Sequence, residues 1–205
     1  MKKEYYTIGK EAECEIIINK SRFIGRAFPI KDEEDAMEKI QRIRTQYPDA
    51  THHCYAYITG SGGNIQRFND DGEPSGTAGM PILQVIQQQQ IENALVVVTR
   101  YFGGIKLGAG GLVRAYSKTA AEAISRAGKK KMIPCNKGNI KIEYDLLGPV
   151  EYFLKQENIP VLNKEYTEKV VIELVTDMDW EIFCSILREK CNGKIECSNP
   201  ETIFY

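Results

Sequence analysis

The sequence predicts an α+β protein of two domains, the second of them ferredoxin-like. Three observations predict it. Apolar runs with a strand period alternate with helical stripes along the chain; the pattern breaks between Lys129 and Gly138, where KKKMIPCNKG carries lysines and turn formers; and residues 138–205 carry a complete strand–helix–strand–strand–helix–strand order, that of the split βαβ fold. With 205 residues there is chain enough for two cores. The expected domains are residues 1–133 and 138–205.

The first elements are two short strands, Cys14–Ile18 and Ser21–Ile30, turning at Asn19–Lys20, with Arg22 and Arg26 on one side of the second. Asp32 then opens a helix whose first turn is acidic (Glu33, Glu34, Asp35), whose core stripe is Ala36, Ile40, Ile43 and Tyr47, and which Pro48 ends. His52–Ile58 reads as a strand, Ser61–Asn64 as a turn and Ile65–Asn69 as the returning strand. Thr77 is placed to cap a helix with Pro81 in its first turn and Ile82, Val85 and Ile86 on its inner face.

Leu95–Val98 is continuously aliphatic and mostly β-branched, the pattern of a strand buried on both faces. It leads through Arg100, Tyr101 and Phe102 into five glycines within nine residues: Gly103, Gly104, Gly108, Gly110 and Gly111. From Leu112 the apolar stripe Leu112, Ala115, Tyr116, Ala120, Ile124, Ala127 marks a helix, with Arg114 and Lys118 one turn apart on another face. A glycine-rich turn feeding a helix points free N–H groups and the positive dipole end at one place, which suits an anion. Arg100, Lys106, Arg114, Lys118, Arg126, Lys129, Lys130 and Lys131 stand there against Glu122 alone, a local balance of +7. Phosphate is the anion expected. The plainer alternative is a strand-to-helix turn on a helix kept soluble by its lysines.

In the second domain Ile140, Ile142, Tyr144 and Leu146 alternate on a strand, and Val150, Phe153 and Leu154 mark a helix. Val161–Tyr166 and Val170–Val175 read as a hairpin, Trp180, Phe183, Cys184, Leu187 and Cys191 as a second helix, and a last strand begins near Lys194.

Composition excludes several function classes. The net charge is −1, but residues 1–135 carry +4 and residues 136–205 carry −5, so the two parts suit different partners. Six cysteines show no C-x-x-C pair or zinc spacing, and free thiols in a reducing cytoplasm are expected. No stretch approaches the ~18 apolar residues of a membrane span, and the N-terminus shows no apolar leader segment. No cofactor and no metal are expected. Asp70, Asp71 and Glu73 in DDGEPSGTAGMP could hold magnesium, although carboxylates on a solvated loop read the same way. For His52 and His53, the only histidines, a structural or supporting role is favoured over a catalytic one, because no third ligand or partner base is apparent.

The segment VVVTRYFGGIKLGAGGLVRAYS, preceded by THHCYAY and NDDGEPSGTAGMPIL, resembles the signature region of the Impact/YigZ family, and the likeness covers essentially residues 1–131. The C-terminal part is similar to that of bacterial two-domain members. The resemblance implies an N-terminal domain with the left-handed βαβ topology of the second domain of a small-subunit ribosomal protein and of domain IV of elongation factor G. It also implies a C-terminal domain like domain V of that factor. Eukaryotic members control translation by restraining an amino-acid-starvation kinase; the extra N-terminal domain they carry has no counterpart here, so that circuit is not carried over. The family motif falls on Arg100, Tyr101, Phe102, Gly103, Gly104, Leu107 and Gly108, with no agreed catalytic residue among them.

Two main function classes emerge. The leading expectation is a non-enzymatic, translation-associated regulator that binds RNA or the ribosome, and with it translation-associated proteins. Arg100, Lys106, Arg114 and Lys118 would take phosphates, Gly103, Gly104, Gly108, Gly110 and Gly111 would supply backbone N–H groups, and Tyr101 or Phe102 would stack on an unpaired base. The competing class is an enzyme or binding protein for a phosphorylated small molecule or nucleotide, with Asp70, Asp71 or Glu73 holding the metal. No GxxxxGK[ST] motif and no identifiable base support it. A third reading is an interaction module using the acidic C-terminal domain.

Overall fold

The computed structural model describes residues 4–205, which fall into two units, Tyr5–Lys131 and Met132–Tyr205 together with Glu4. The first runs β1 (Tyr5–Ile8), β2 (Ala12–Ile18), β3 (Ser21–Pro29), α1 (Glu33–Gln46), β4 (His52–Thr59), β5 (Ile65–Asn69), α2 (Gly79–Gln88), β6 (Ala94–Tyr101) and α3 (Gly108–Ala127), and β7 (Lys129–Met132) ends it. Strands β2, β3, β6, β4 and β5 form, in that order, an antiparallel sheet with β6 at its centre. The aliphatic run places β6 there, because a central strand covered on both faces has no solvent side for polar residues.

Helices α2 and α3 cover one face, packing Ile82, Ile86, Leu112, Tyr116 and Ile124 onto Phe23, Cys54, Ala56, Val96 and Val98. Helix α1 covers the other with Ile40 and Ile43 against Phe28, Tyr57, Leu95 and Val97. Each such aliphatic side chain contributes roughly 1.5–3 kcal/mol on burial. Asp32 caps α1 as expected, accepting from Asp35 N at 2.8 Å. Asn19 and Lys20 both take positive φ (46° and 62°), so the β2–β3 turn has the hand that matches strand twist.

Three local expectations are corrected. Thr77 does not cap α2: its hydroxyl donates to the Pro74 carbonyl at 2.6 Å, and the Asp70 carboxylate instead accepts from Gly76, Ala78 and Gly79 N at 2.8–3.0 Å. Lys129–Lys131 is not a break but part of β7, which pairs with β1; a strand whose side chains face solvent needs only its backbone partner. Residues 134–137, expected as linker, are the start of β8 (Pro134–Ile142), with Pro134 at the first position, where a missing N–H is tolerated.

The second unit continues through α4 (Leu147–Gln156), β9 (Val161–Tyr166), β10 (Val170–Thr176), α5 (Trp180–Lys190), β11 (Ile195–Cys197) and β12 (Glu201–Phe204). The strand expected to reach Leu146 ends at Ile142, and Tyr144–Leu146 is a single 3-10 turn. The sheet order β11-β8-β10-β9 is that of the ferredoxin-like fold, and β12 is an addition that also pairs with β8. Ile140, Ile142, Ile172 and Leu174 meet Phe153, Leu154, Phe183 and Leu187 in its core. Gly138 has no room for a side chain, since a Cβ there would stand 2.4 Å from the Trp180 ring.

Candidate nucleic-acid interface

At the end of β6 the chain leaves the sheet through Phe102–Leu107 and re-enters order as α3. Gly103 is required there: a Cβ would lie 2.0 Å from the Lys20 carbonyl carbon, so the loop and the β2–β3 turn touch backbone to backbone. Gly103 N donates to Ser21 Oγ at 3.1 Å and Phe102 N to Thr51 Oγ1 at 3.1 Å, which fixes the loop root to two neighbouring strands. Gly104 and Gly108 take positive φ, 81° and 70°, with open space around them.

Helix α3 starts without a side-chain cap. Gly108, Ala109 and Gly110 are exposed and Gly111 is half-buried, and no side chain of the described residues caps the first turn. Arg114 reaches back over this turn, with Nη1 3.7 Å from where a Gly110 Cβ would be. Lys106, Arg114 and Lys118 are exposed, and none of the described residues gives them an ion-pair partner. Elsewhere in the unit Arg22, Arg26, Arg42 and Arg44 are paired with Glu15, Glu13, Glu11 and Asp71.

Arg100 and Tyr101 are placed differently from the other sequence-selected residues. Arg100 turns under the loop, its guanidinium between the Phe23 and Phe102 rings at 5.4 and 5.5 Å, and Nη1 donates to Glu73 Oε1 at 2.6 Å. It therefore supports the surface and does not line it. Tyr101, one residue on, points to the opposite sheet face, where its hydroxyl donates to Asp49 and Arg22 lies over its ring. Phe102 is 48% exposed and shares the Arg100 side, the one aromatic of the pair at the loop.

Beneath the loop lies a buried polar cluster that spacing alone does not signal. Tyr116 donates to Glu73 Oε1 at 2.8 Å, and Cys54 Sγ lies 3.3 Å from the Tyr116 hydroxyl and 3.0 Å from the Asp70 carbonyl oxygen. Burial pushes both the Cys54 thiol and the Tyr116 phenol well up, so both stay protonated as donors. Arg100 Nε is buried with no hydrogen-bond partner among the described residues. His52 stands beside Arg100 in the β4–β6 register. His53, on the other face, is structural: its ring nitrogens meet Thr99 Oγ1 and the Tyr47 carbonyl at 3.1 Å, and burial lowers its pKa.

Each carboxylate of the loop has protein partners. Asp70 caps α2, Asp71 takes the Arg44 guanidinium at 2.7 Å and His53 N at 2.6 Å, and Glu73 takes Arg100 and Tyr116. These oxygens are not assembled for a hard cation, and among the described residues no group of three or more His, Cys, Asp or Glu is placed to hold a metal ion. All six cysteines are free thiols, and among the described residues no helix is long and apolar enough to cross a membrane.

Comparison with known proteins bears on this arrangement. The Impact N-terminal domain model matches residues 19–124, the span that runs from β3 through most of α3 and holds both loops. This chain belongs to the IMPACT family. A domain of unknown function (DUF1949) matches residues 140–194, within the ferredoxin-like unit. The IMPACT family member YvyE of Bacillus subtilis is 39% identical over 98% of this chain and 93% of its own length. The family member YigZ of Escherichia coli is 35% identical over 77% and 78%. A Saccharomyces cerevisiae IMPACT homologue is 33% identical over 53% of this chain and 43% of the yeast protein. A crystal structure described as that of a hypothetical protein matches with a TM-score of 0.65 at 29% identity, over 98% of this chain and 99% of that one.

Proposed function

We propose that this IMPACT family member is a non-enzymatic, translation-associated protein that binds single-stranded RNA, free or on the ribosome, through the first turn of α3 and the glycine-rich loop. The observation that carries the reading is the contrast in charge pairing. Lys106 before α3, Arg114 in its second turn and Lys118 in its third stand exposed, with no ion-pair partner among the described residues, on a helix whose start is uncapped and in a unit whose arginines otherwise have acidic neighbours. Donors and positive charge without a protein acceptor suit phosphate oxygens. Phe102, braced from behind by Arg100, offers a ring face on which a base can stack. Few groups read base edges, so sequence preference would be weak.

The competing reading, a magnesium-assisted enzyme on a phosphorylated small molecule, would need Asp70, Asp71 or Glu73 free for the ion, and each already has partners. The test is titration of the purified protein with oligo(U) at a series of salt concentrations. The RNA reading expects the logarithm of affinity to fall linearly with the logarithm of salt. Binding absent at low salt, or a small phosphorylated ligand held only with magnesium, would overturn it.

A further inference from the structure

His52, the sheet neighbour of Arg100, offers a hydrogen-bond acceptor beside the root of the glycine-rich loop. Its Nδ1 stands 2.8 Å from the Asp71 carbonyl oxygen, which only accepts, so Nδ1 carries the proton and in the neutral ring Nε2 keeps its lone pair. Gly72 lies alongside the ring: a Cβ there would stand 3.4 Å from Nδ1, and its φ is +88°. Nε2 makes no hydrogen bond to any described residue. Glu73 Oε1 is 3.9 Å away, beyond hydrogen-bond reach, and is committed to Arg100 and Tyr116. The imidazole is not sealed in, since 19% of its side chain is exposed.

Its place in the sheet ties it to the loop. His52 pairs with Arg100 across β4 and β6, Phe102 follows on the same face with its ring over Arg100, and Thr51 fixes the Phe102 backbone. A phosphate offers acceptors only and cannot satisfy Nε2. The donors of a nucleic acid are base N–H groups and the ribose 2′-hydroxyl, and of these the 2′-hydroxyl is the one that separates RNA from DNA at a contact of this kind. We infer that His52 Nε2 accepts a hydrogen bond from a ribose 2′-hydroxyl and so makes the interface select RNA over DNA. This rests on the RNA reading above and gives His52 a specificity role within it.

The test compares oligo(U), oligo(dU) and 2′-fluoro-oligo(U) of equal length on the full chain, by fluorescence anisotropy at one low salt concentration. The wild-type protein should hold oligo(U) about tenfold tighter than either strand that lacks the O–H, the worth of one hydrogen bond. In His52→Ala the oligo(U) affinity should fall to the oligo(dU) level while oligo(dU) binding stays unchanged. The 2′-fluoro strand asks the same question without altering the protein. Equal wild-type affinity for all three strands, or an RNA preference that survives His52→Ala, would overturn the inference while leaving the RNA reading intact. No binding of any strand would overturn both.

Discussion

Arg100 and Glu73 form an ion pair, Nη1 to Oε1 at 2.6 Å, in which the two side chains keep only 6% and 3% of their surface exposed. The pair joins the end of β6 to the loop before α2, and Tyr116 extends it to α3. Glu73→Gln should therefore destabilise the fold by about 3 kcal/mol, because it leaves a buried guanidinium uncompensated. Replacing both partners, as Arg100→Met with Glu73→Leu, should cost less than either single change. Urea denaturation of the three variants checks the ordering.

The glycines of the loop separate by cause. Gly103→Ala drives a methyl into the Lys20 backbone and should cost on the order of 3 kcal/mol or prevent folding. Gly104→Ala meets no neighbour within 4 Å and bears only the strain of φ +81°, about 1–2 kcal/mol. Thermal melts of both variants should show that difference, and equal losses would contradict the backbone-contact argument.

How much of this was legible in the sequence varies by element. Helix α1 was legible because cap, acidic turn and stripe coincide within sixteen residues, and β6 and α3 because their periodicities are unbroken. The β1–β7 pair was not, since its two four-residue strands lie far apart in sequence and β7 is mostly lysine. The acidic loop read as a solvated turn, with a cation site as the alternative, because its partners are remote: Arg100 lies 27 residues from Glu73, and His53 lies 18 from Asp71. Spacing alone does not report such pairings. Arg100 was selected by its motif, but its burial follows from the alternation along β6, which sends it inward beneath α3 and Tyr101 to the opposite face.

His53 gives a pH prediction with a definite sign. Burial, opposed by the nearby Asp71 carboxylate, holds its folded pKa below the ordinary value of 6.5. The unfolded chain thus binds the proton first as pH falls. Its contribution to stability is fully present above about pH 6.5 and is lost as pH drops from there through the folded pKa. In His53→Gln the urea midpoint should vary less with pH across that window than in the wild type.

The second unit holds a complete core of its own. Expressed alone, residues 132–205 should unfold cooperatively in urea. Limited proteolysis should spare Pro134–Gly138, which is strand, and a dominant cut inside that segment would contradict the pairing of β8 with β10 and β12.

The central claim, phosphate binding at the start of α3, is tested most directly by the double variant Arg114→Gln, Lys118→Gln. Both side chains are exposed and lie off the apolar stripe, so the fold should be retained. The slope of log affinity for oligo(U) against log salt should fall in magnitude by about 1.4, at ~0.7 for each phosphate contact on a single strand. An unchanged slope and affinity in a folded double variant would contradict the account.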